Sequence, residues 1–316
     1  MKLLIVASLI ALAAGASVGR NQEWEEFKVK FGKGFRDLKH ESQRRAVFES
    51  NLNLIEAHNA KFEKGLSSYK MGINQFTDMT YQEFSNAMLM EPRPATAPEV
   101  MQSKKVESSA PAQKDWRDDG ILNPVKDQAS CGSCWAFSTV GSTEAAWARA
   151  GNDLVSLSEQ ELVDCGAGDC NGGWVDRAFD TILKQGGLNL ESDYPYTAKN
   201  GHGCLYDEDK KAAEISGYEK VFGDITADSV YENGPHSIYL YANSNFQHYD
   251  SGIFDDETCP KYSYNHAVVN VGYDTDEGYW IVRNSWAATW GERGHIRMKM
   301  GSNICNCEKY AWYPNI

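Results

Sequence analysis

No cysteine occurs in the first 130 residues of this 316-residue chain; all eight fall between positions 131 and 307. Cysteines so confined can pair in an oxidising compartment, and the segment before them must hold itself together without them. No Asn-x-Ser/Thr sequence is present, which argues against N-glycosylation and against any sorting step that needs an N-glycan. Beyond the N-terminus, no stretch is apolar enough to cross a bilayer. Residues 1–16 read as a secretory signal. Lys2 precedes an apolar run from Leu3 to Ala14, and Ala14-Gly15-Ala16 places small residues for cleavage after Ala16. The chain is therefore expected in the secretory pathway, bound for a lysosome or vacuole or for the exterior. Positive charge is scarce in the larger part. From Ala110 onward 16 basic residues face 31 acidic ones, whereas residues 17–109 hold 14 and 13. Nucleic acid is a poor partner for so acidic a surface. Such carboxylates repel one another less in acid, which suits an acidic vacuole, although a plain solvated surface explains them as well.

The length allows a substantial core and more than one domain. Residues 17–109 form the first unit. Trp24, Phe27, Phe31 and Phe35 recur at helical spacing, and a longer helix follows with Arg44, Val47, Phe48, Asn51, Ile55 and Asn59 near one face. Residues 91–114 then mix Pro92, Pro94, Pro98 and Pro111 with Ser, Ala, Lys and Gln, a composition that predicts an extended, exposed, cleavable linker. From about 115 to 220 the pattern is helical: Trp135 to Ala150 with Gly151 as the stop, Ser158–Val163 with a capping box between Ser158 and Glu161, and Trp174–Gln185. From about 220 to 316 it turns to strands at Ser237–Tyr241, His266–Tyr273, Tyr279–Arg283 and His295–Lys299. Helices first and strands second predict an α+β fold in two lobes with a cleft between them.

The stretch that organises the rest is Gln128-Ala129-Ser130-Cys131-Gly132-Ser133-Cys134-Trp135-Ala136-Phe137-Ser138. Cys134 falls in the first turn of a helix, where free N–H groups and the helix dipole favour an anion and push the thiol toward thiolate. A nucleophile there needs a base, and His266 is the best placed of the seven histidines, in the strand that runs from Tyr264 to Tyr273. Asn284 follows at the end of the next strand. The intervals from Cys134 are 132 residues to His266 and 150 to Asn284. A Cys-x-x-Cys pair alone also fits a redox centre or half a zinc site. Gln128 six residues before, Trp135 directly after and the distant histidine speak against that.

These intervals and motifs give the chain, from about Trp24 to Pro314, a resemblance to the papain-like cysteine proteases, most closely the cathepsin L-like group. Arg44-x3-Phe48-x2-Asn51-x3-Ile55-x3-Asn59 is similar to that group's interspersed pro-region motif, with His40 standing where the leading glutamate would be and Glu41 beside it. Gly72-x-Asn74-x-Phe76-x-Asp78 is similar to its second motif at every position. The resemblance implies a two-lobe fold, helical on the left and β-barrel-like on the right. It also implies a small helical inhibitory propeptide over 17–109 and a peptidase domain over 110–316. It assigns Cys134 as nucleophile, His266 as base, Asn284 as orienter of the imidazole, Trp286 as a cover over that hydrogen bond, and Gln128 as oxyanion donor with the Cys134 N–H. Gly172 and Gly173 would let a substrate backbone approach, with Trp174 and Val175 at the cleft. Tyr239, Asn265 and Tyr310 would surround the S2 pocket, two phenols shortening it and weakening a preference for large side chains. The implied disulfides are Cys131–Cys170, Cys165–Cys204 and Cys259–Cys305, with Cys307 left over. No cofactor or metal is implied, and a monomer is expected. Partners would be protein and peptide substrates, the propeptide itself and cystatin-like inhibitors. With four residues between Cys165 and Cys170, no histidine-bearing insertion and no pro-region cysteine, the cleft stays open at both ends, as in an endopeptidase. Ala129 and Ala287 stand where relatives usually have glycine. A non-catalytic peptide-binding relative is the alternative, disfavoured by four intact active-site positions.

Overall fold

The computed structural model describes residues 19–95, 110–201, 203–221 and 223–316. The expected signal peptide and most of the expected linker lie outside them. Among the described residues nine strands form one sheet. Along its main path the order is Tyr69–Met71, Tyr249–Phe254, His295–Lys299, Tyr279–Arg283, His266–Asp274, His236–Leu240, Ala311–Asn315 and Gly217–Val221, and Gln113–Asp115 pairs beside this path with the end of His266–Asp274. Tyr249–Phe254 and His295–Lys299 run parallel; the other pairs are antiparallel. The central strand His266–Asp274 is buried at all nine positions, which explains its nearly continuous apolar sequence. Gly272 is required there, because a methyl group on it would lie 2.2 Å from the Lys114 carbonyl oxygen.

The expected barrel-like closure does not occur among the described residues. One outer edge, Gly217–Val221, is half-exposed along its length and offers little apolar surface for a further partner. At the opposite end, the Tyr249–Phe254 strand pairs with Tyr69–Met71, a strand of the pro-region. The sheet stays open, extended by a segment from outside the lobe.

The helical lobe is built on Cys134–Arg149, whose first twelve residues are all buried. Trp135, Val140, Leu157, Leu162, Val175, Phe179 and Ile182 share one apolar cluster, so this helix packs against Glu159–Asp164 and Val175–Gln185 on one side and the sheet on the other. The expected capping box at Ser158 forms only by half. Ser158 Oγ accepts the Glu161 N–H, but the Glu161 carboxylate is taken by the Asn189 N–H and by Gln185. Disulfides join Cys131 to Cys170, Cys165 to Cys204 and Cys259 to Cys305; Cys134 and Cys307 are buried free thiols.

The pro-region has its own core. Trp24 and Phe27, from the helix over 19–30, pack on Phe48 and Leu52 of the helix Leu38–Phe62. The polar inner face of the longer helix holds the chain that follows it. Arg44 binds Glu83 at 2.8 Å and the Asp78 carbonyl at 3.1 Å, Asn51 Nδ2 donates to the Thr77 and Met79 carbonyls, and the Asn59 side chain pairs with both backbone groups of Met71. Glu41 takes the Lys28 ammonium at 2.6 Å and the Trp24 indole N–H, so the displaced glutamate has partners of its own.

Candidate active site

Cys134 begins its helix, with Ser133 as an N-cap that makes no side-chain capping bond. The Cys134 and Trp135 N–H groups therefore face the sulfur, while the Ala136 N–H donates to the Ser133 carbonyl at 2.8 Å. From the other lobe, the Ala267 N–H donates to Cys134 Sγ at 3.4 Å. His266, one residue earlier, opens the central strand. Asn284 Oδ1 accepts both the His266 Nε2–H at 2.7 Å and the Ser285 N–H at 2.8 Å. That sharing fixes the oxygen toward the ring, puts the imidazole proton on Nε2 and leaves Nδ1 as the acceptor. Nδ1 is buried and has no hydrogen-bond partner among the described residues. The Trp286 ring stacks on the imidazole with centroids 4.7 Å apart and planes 24° apart. Thus Cys134, His266, Asn284 and Trp286 come together, with the ring held on two sides.

Burial sets the charge state. Cys134 and His266 are both fully buried. Desolvation pushes the Cys134 thiol up to about 12, against the N–H groups of Ala267, Trp135 and Cys134 that would lower it. It pushes the His266 imidazole down to about 4, against the Asn284 hydrogen bond. Burial thus works against the thiolate that the helix N-terminus favours, and against a charged imidazole, while the site is shut off from water.

What shuts it is the pro-region. A helix over Tyr81–Met88 starts at a full capping box between Thr80 and Glu83 and ends at the cleft. Gln128 Nε2 donates to the Met88 carbonyl and to the Cys131 carbonyl, each at 2.8 Å. The Gln128 amide cannot turn, because its oxygen accepts Ser285 Oγ–H at 2.7 Å and the Trp286 indole N–H at 3.1 Å. A pro-region carbonyl thus occupies the donor expected to serve an oxyanion. Phe76 and Phe84 meet the Trp286 ring edge-on at 5.6 and 5.1 Å. Gln75 Nε2 donates to the Trp286 carbonyl at 2.6 Å. Beyond Met88 the chain is extended: Met90 N–H donates to the Asn265 carbonyl at 2.9 Å, and Arg93–Pro94 pairs antiparallel with Ser263–Tyr264.

The residues expected to bind substrate divide. At Gly172 a methyl group would meet Met90 Cγ at 3.2 Å, so this glycine faces the chain in the cleft. At Gly173 it would meet the Trp135 ring at 2.4 Å, so packing demands that glycine instead. Trp174 lies under the Arg93 guanidinium at 3.9 Å, and Val175 is buried at the helix start. Asn265 offers its backbone carbonyl, while its side chain braces Ala242. Tyr239 departs from expectation. It is fully buried, stacks on Tyr264 and accepts the Val175 N–H on its hydroxyl at 2.8 Å, forming a floor rather than a hydroxyl-bearing wall. Met90 shares the cluster of Tyr239, Tyr264 and Ala267, with Trp174 and Tyr310 packed against it. Met88, Met90 and Ser285 escaped the sequence reading. The apolar run Met88-Leu89-Met90 just before Pro92 is the signal that could have flagged the first two.

Comparison with known proteins agrees with this geometry. The family model described as papain family cysteine protease matches residues 110–315, and the cathepsin propeptide inhibitor domain matches residues 24–84. "Digestive cysteine proteinase 2" of Homarus americanus is 39% identical over 97% of this chain and 98% of its own length. "Cathepsin L-like proteinase" of Fasciola hepatica is 37% identical over 100% of this chain and 99% of its own. The structure of digestive procathepsin L2 proteinase from Tenebrio molitor larval midgut superposes with a TM-score of 0.85 at 35% identity, covering 94% of this chain and all of that one. The chain belongs to the papain family of cysteine proteases, as a cathepsin L-like precursor that carries its propeptide inhibitor domain.

Proposed function

We propose that this precursor is autoinhibited through its own pro-segment and matures, near Ala110, to an endopeptidase in which Cys134 is the nucleophile, His266 the base and Asn284 the orienting amide. The observation that carries this reading is the hydrogen bond from Gln128 Nε2 to the Met88 carbonyl, beside a buried Cys134 and a His266 with a free Nδ1. Release of the pro-segment would admit water and let Cys134 pass its proton to His266 Nδ1. The thiolate would attack the scissile carbonyl, and the oxyanion would take the place of the Met88 oxygen, accepting from Gln128 Nε2 and the Cys134 N–H. His266 would then protonate the leaving amine. Water, deprotonated by the same ring, would cleave the thioester and regenerate the thiol.

The apolar cluster of Met90 with Tyr239 and Tyr264, with Tyr310 packed against it, supports a preference for an unbranched apolar side chain of similar length. A peptide library with strongest turnover for bulky aromatic residues at that position would overturn it. The signal-like residues 1–16 support entry to the secretory pathway, and the relatives from Homarus americanus are named digestive. Among the described residues no helix is long and apolar enough to cross a membrane.

Acid incubation of the purified precursor, with and without an epoxide thiol trap, tests the central reading. Loss of roughly the first 109 residues, with peptidase activity that one label on Cys134 abolishes, is the expected result. An unprocessed chain that takes no label, or a Cys134→Ser variant that retains activity, contradicts it.

A further inference from the structure

Behind Asn284, on the side away from His266, lies a small cavity of about 20 Å³ between the two lobes. The nucleophile helix lines it with Gly141 and Glu144, the next helix with Glu159, and the strand end with Arg283 and Asn284; Lys126 joins from the loop before Gln128. The volume is that of about one water molecule. Four buried polar atoms on these side chains have no partner among the described residues: Glu144 Oε2, Glu159 Oε2, Arg283 Nη1 and Asn284 Nδ2. Several of their other atoms are bound within the protein. Glu144 Oε1 accepts Lys126 Nζ at 2.8 Å and the Leu157 N–H at 2.9 Å, Glu159 Oε1 accepts Lys126 Nζ at 2.7 Å, Arg283 Nη2 donates to the Pro124 carbonyl at 2.8 Å, and Asn284 Oδ1 serves His266 and Ser285.

The orphans are two acceptors and two donors, which is the complement of one water molecule. We propose that this cavity is a site for a single structural water, which donates to Glu144 and Glu159, accepts from Arg283 and Asn284, and so makes the two glutamates positioning residues for the active site. Without it, four buried groups would stand unsatisfied in one place, an arrangement native proteins avoid. With it, the Asn284 amide is fixed at both ends. Its oxygen faces His266 and Ser285, its nitrogen faces the water, and a flip of the amide is opposed from both sides. Burial pushes the Glu159 carboxyl up, and Lys126 opposes that most strongly. With Lys126 and Arg283 both cationic, the cluster is neutral when both carboxylates are ionised. The nucleophile helix and the histidine strand belong to opposite lobes, so the water also ties the two halves of the site at a point neither catalytic side chain reaches.

The inference rests on the reading of Asn284 as the group that orients His266, and its test separates the two. A methyl group on Gly141 would enter this space, 3.9 Å from Arg283 Nη1 and 3.2 Å from Val269 Cγ2, without touching Cys134, His266 or Asn284. Helix propensity favours alanine there. Crystal structures of the full-length precursor, wild type and Gly141→Ala, at a resolution that orders waters, should show one peak within hydrogen-bond distance of all four atoms in the first and none in the second. The matured Gly141→Ala enzyme, with active sites counted by thiol trapping, should lose about tenfold in kcat with KM within twofold. A loss of stability alone would lower the count of active sites, not the turnover of each. Should Gly141→Ala not fold, Glu159→Gln keeps the shape but turns an acceptor into a donor, and the same split is expected. A dry wild-type cavity overturns the proposal, as does unchanged kcat per site in whichever variant folds. Activity surviving in Cys134→Ser would instead overturn the catalytic reading and leave the water's density untouched.

Discussion

Ala129 and Ala287 sit in the left-handed region, with φ of 48° and 58°. They flank the bridge between Asp127 and Trp286, where the Gln128 loop meets the Asn284 loop. An L-residue pays about 1–2 kcal/mol in that conformation, and the greater unfolded-state freedom of glycine takes back about 0.4–1 kcal/mol. Ala129→Gly and Ala287→Gly should each stabilise the precursor by about 0.5–1 kcal/mol, and less than additively because they adjoin one bridge. Paired thermal and denaturant melts measure this, and a fall in stability for both would show that the neighbouring loops relax the strain. The sequence made these positions visible, since both break a glycine pattern. It also made Gln128, Cys134, His266 and Asn284 visible, because each is flanked by its own run of distinctive residues. Tyr239 was legible as a residue near the cleft but not as a buried floor, because all five residues of its strand are buried and periodicity does not say how deep each side chain lies. The Lys126, Glu144, Glu159 and Arg283 cluster was invisible, because each charge is alone in its own segment and only the fold brings them together.

Among the elements, the Tyr81–Met88 helix links the propeptide core to the cleft. Its start is fixed by Thr80, whose hydroxyl accepts the Glu83 N–H while Glu83 reaches back to the Thr80 N–H and also holds Arg44. Its end delivers the Met88 carbonyl to Gln128. An N-cap replaced by alanine costs about 1 kcal/mol, and 1.4 kcal/mol is about a factor of ten. Thr80→Ala should therefore weaken inhibition of the mature enzyme by the isolated propeptide about fivefold and raise the precursor's residual activity at neutral pH. An inhibition titration measures the first; an unchanged constant would mean that the Arg44–Glu83 pair holds the helix alone. The two boxes show what sequence can and cannot say. Ser158-x-x-Glu161 has the same spacing, yet its glutamate is claimed by Asn189, a residue 28 positions further on. Helix existence was legible from periodicity, and the destination of one carboxylate was not. For the same reason the local rule about helix N-termini was incomplete: burial under a segment that lies some 45 residues earlier in the chain pushes the Cys134 thiol the other way.

At the scale of the whole molecule, buried carboxyls in the acidic peptidase part tie stability to pH. Glu161 is wholly inaccessible, and burial raises its carboxyl to about 7, more than the Asn189 and Gln185 hydrogen bonds lower it. Burial raises Glu191 as well. A carboxyl with a raised folded-state value favours the folded chain fully below its unfolded value of 4.5 and loses that advantage as pH rises through 7. At about 1.4 kcal/mol per unit, Glu161 alone makes the fold about 3 kcal/mol less stable above neutrality than in acid. Burial holds His236, His248 and His295 at about 4, and these work the other way, destabilising the fold as pH falls below 6.5, so Glu161's share is read from the difference between wild type and Glu161→Gln rather than from either melt alone. Glu161→Gln should remove most of Glu161's share without loss at acid pH, because the site accommodates an amide. Its oxygen can accept the Asn189 N–H, and its nitrogen can donate to Gln185 Oε1, a buried oxygen that now has no partner, once the Gln185 amide turns over. Differential scanning calorimetry of both proteins across that range decides the matter. Equal slopes of stability against pH in the two proteins would overturn the assignment, and a Glu161→Gln protein that gains stability over wild type at pH 7.5 but not at pH 4.5 would locate this share in the one buried group.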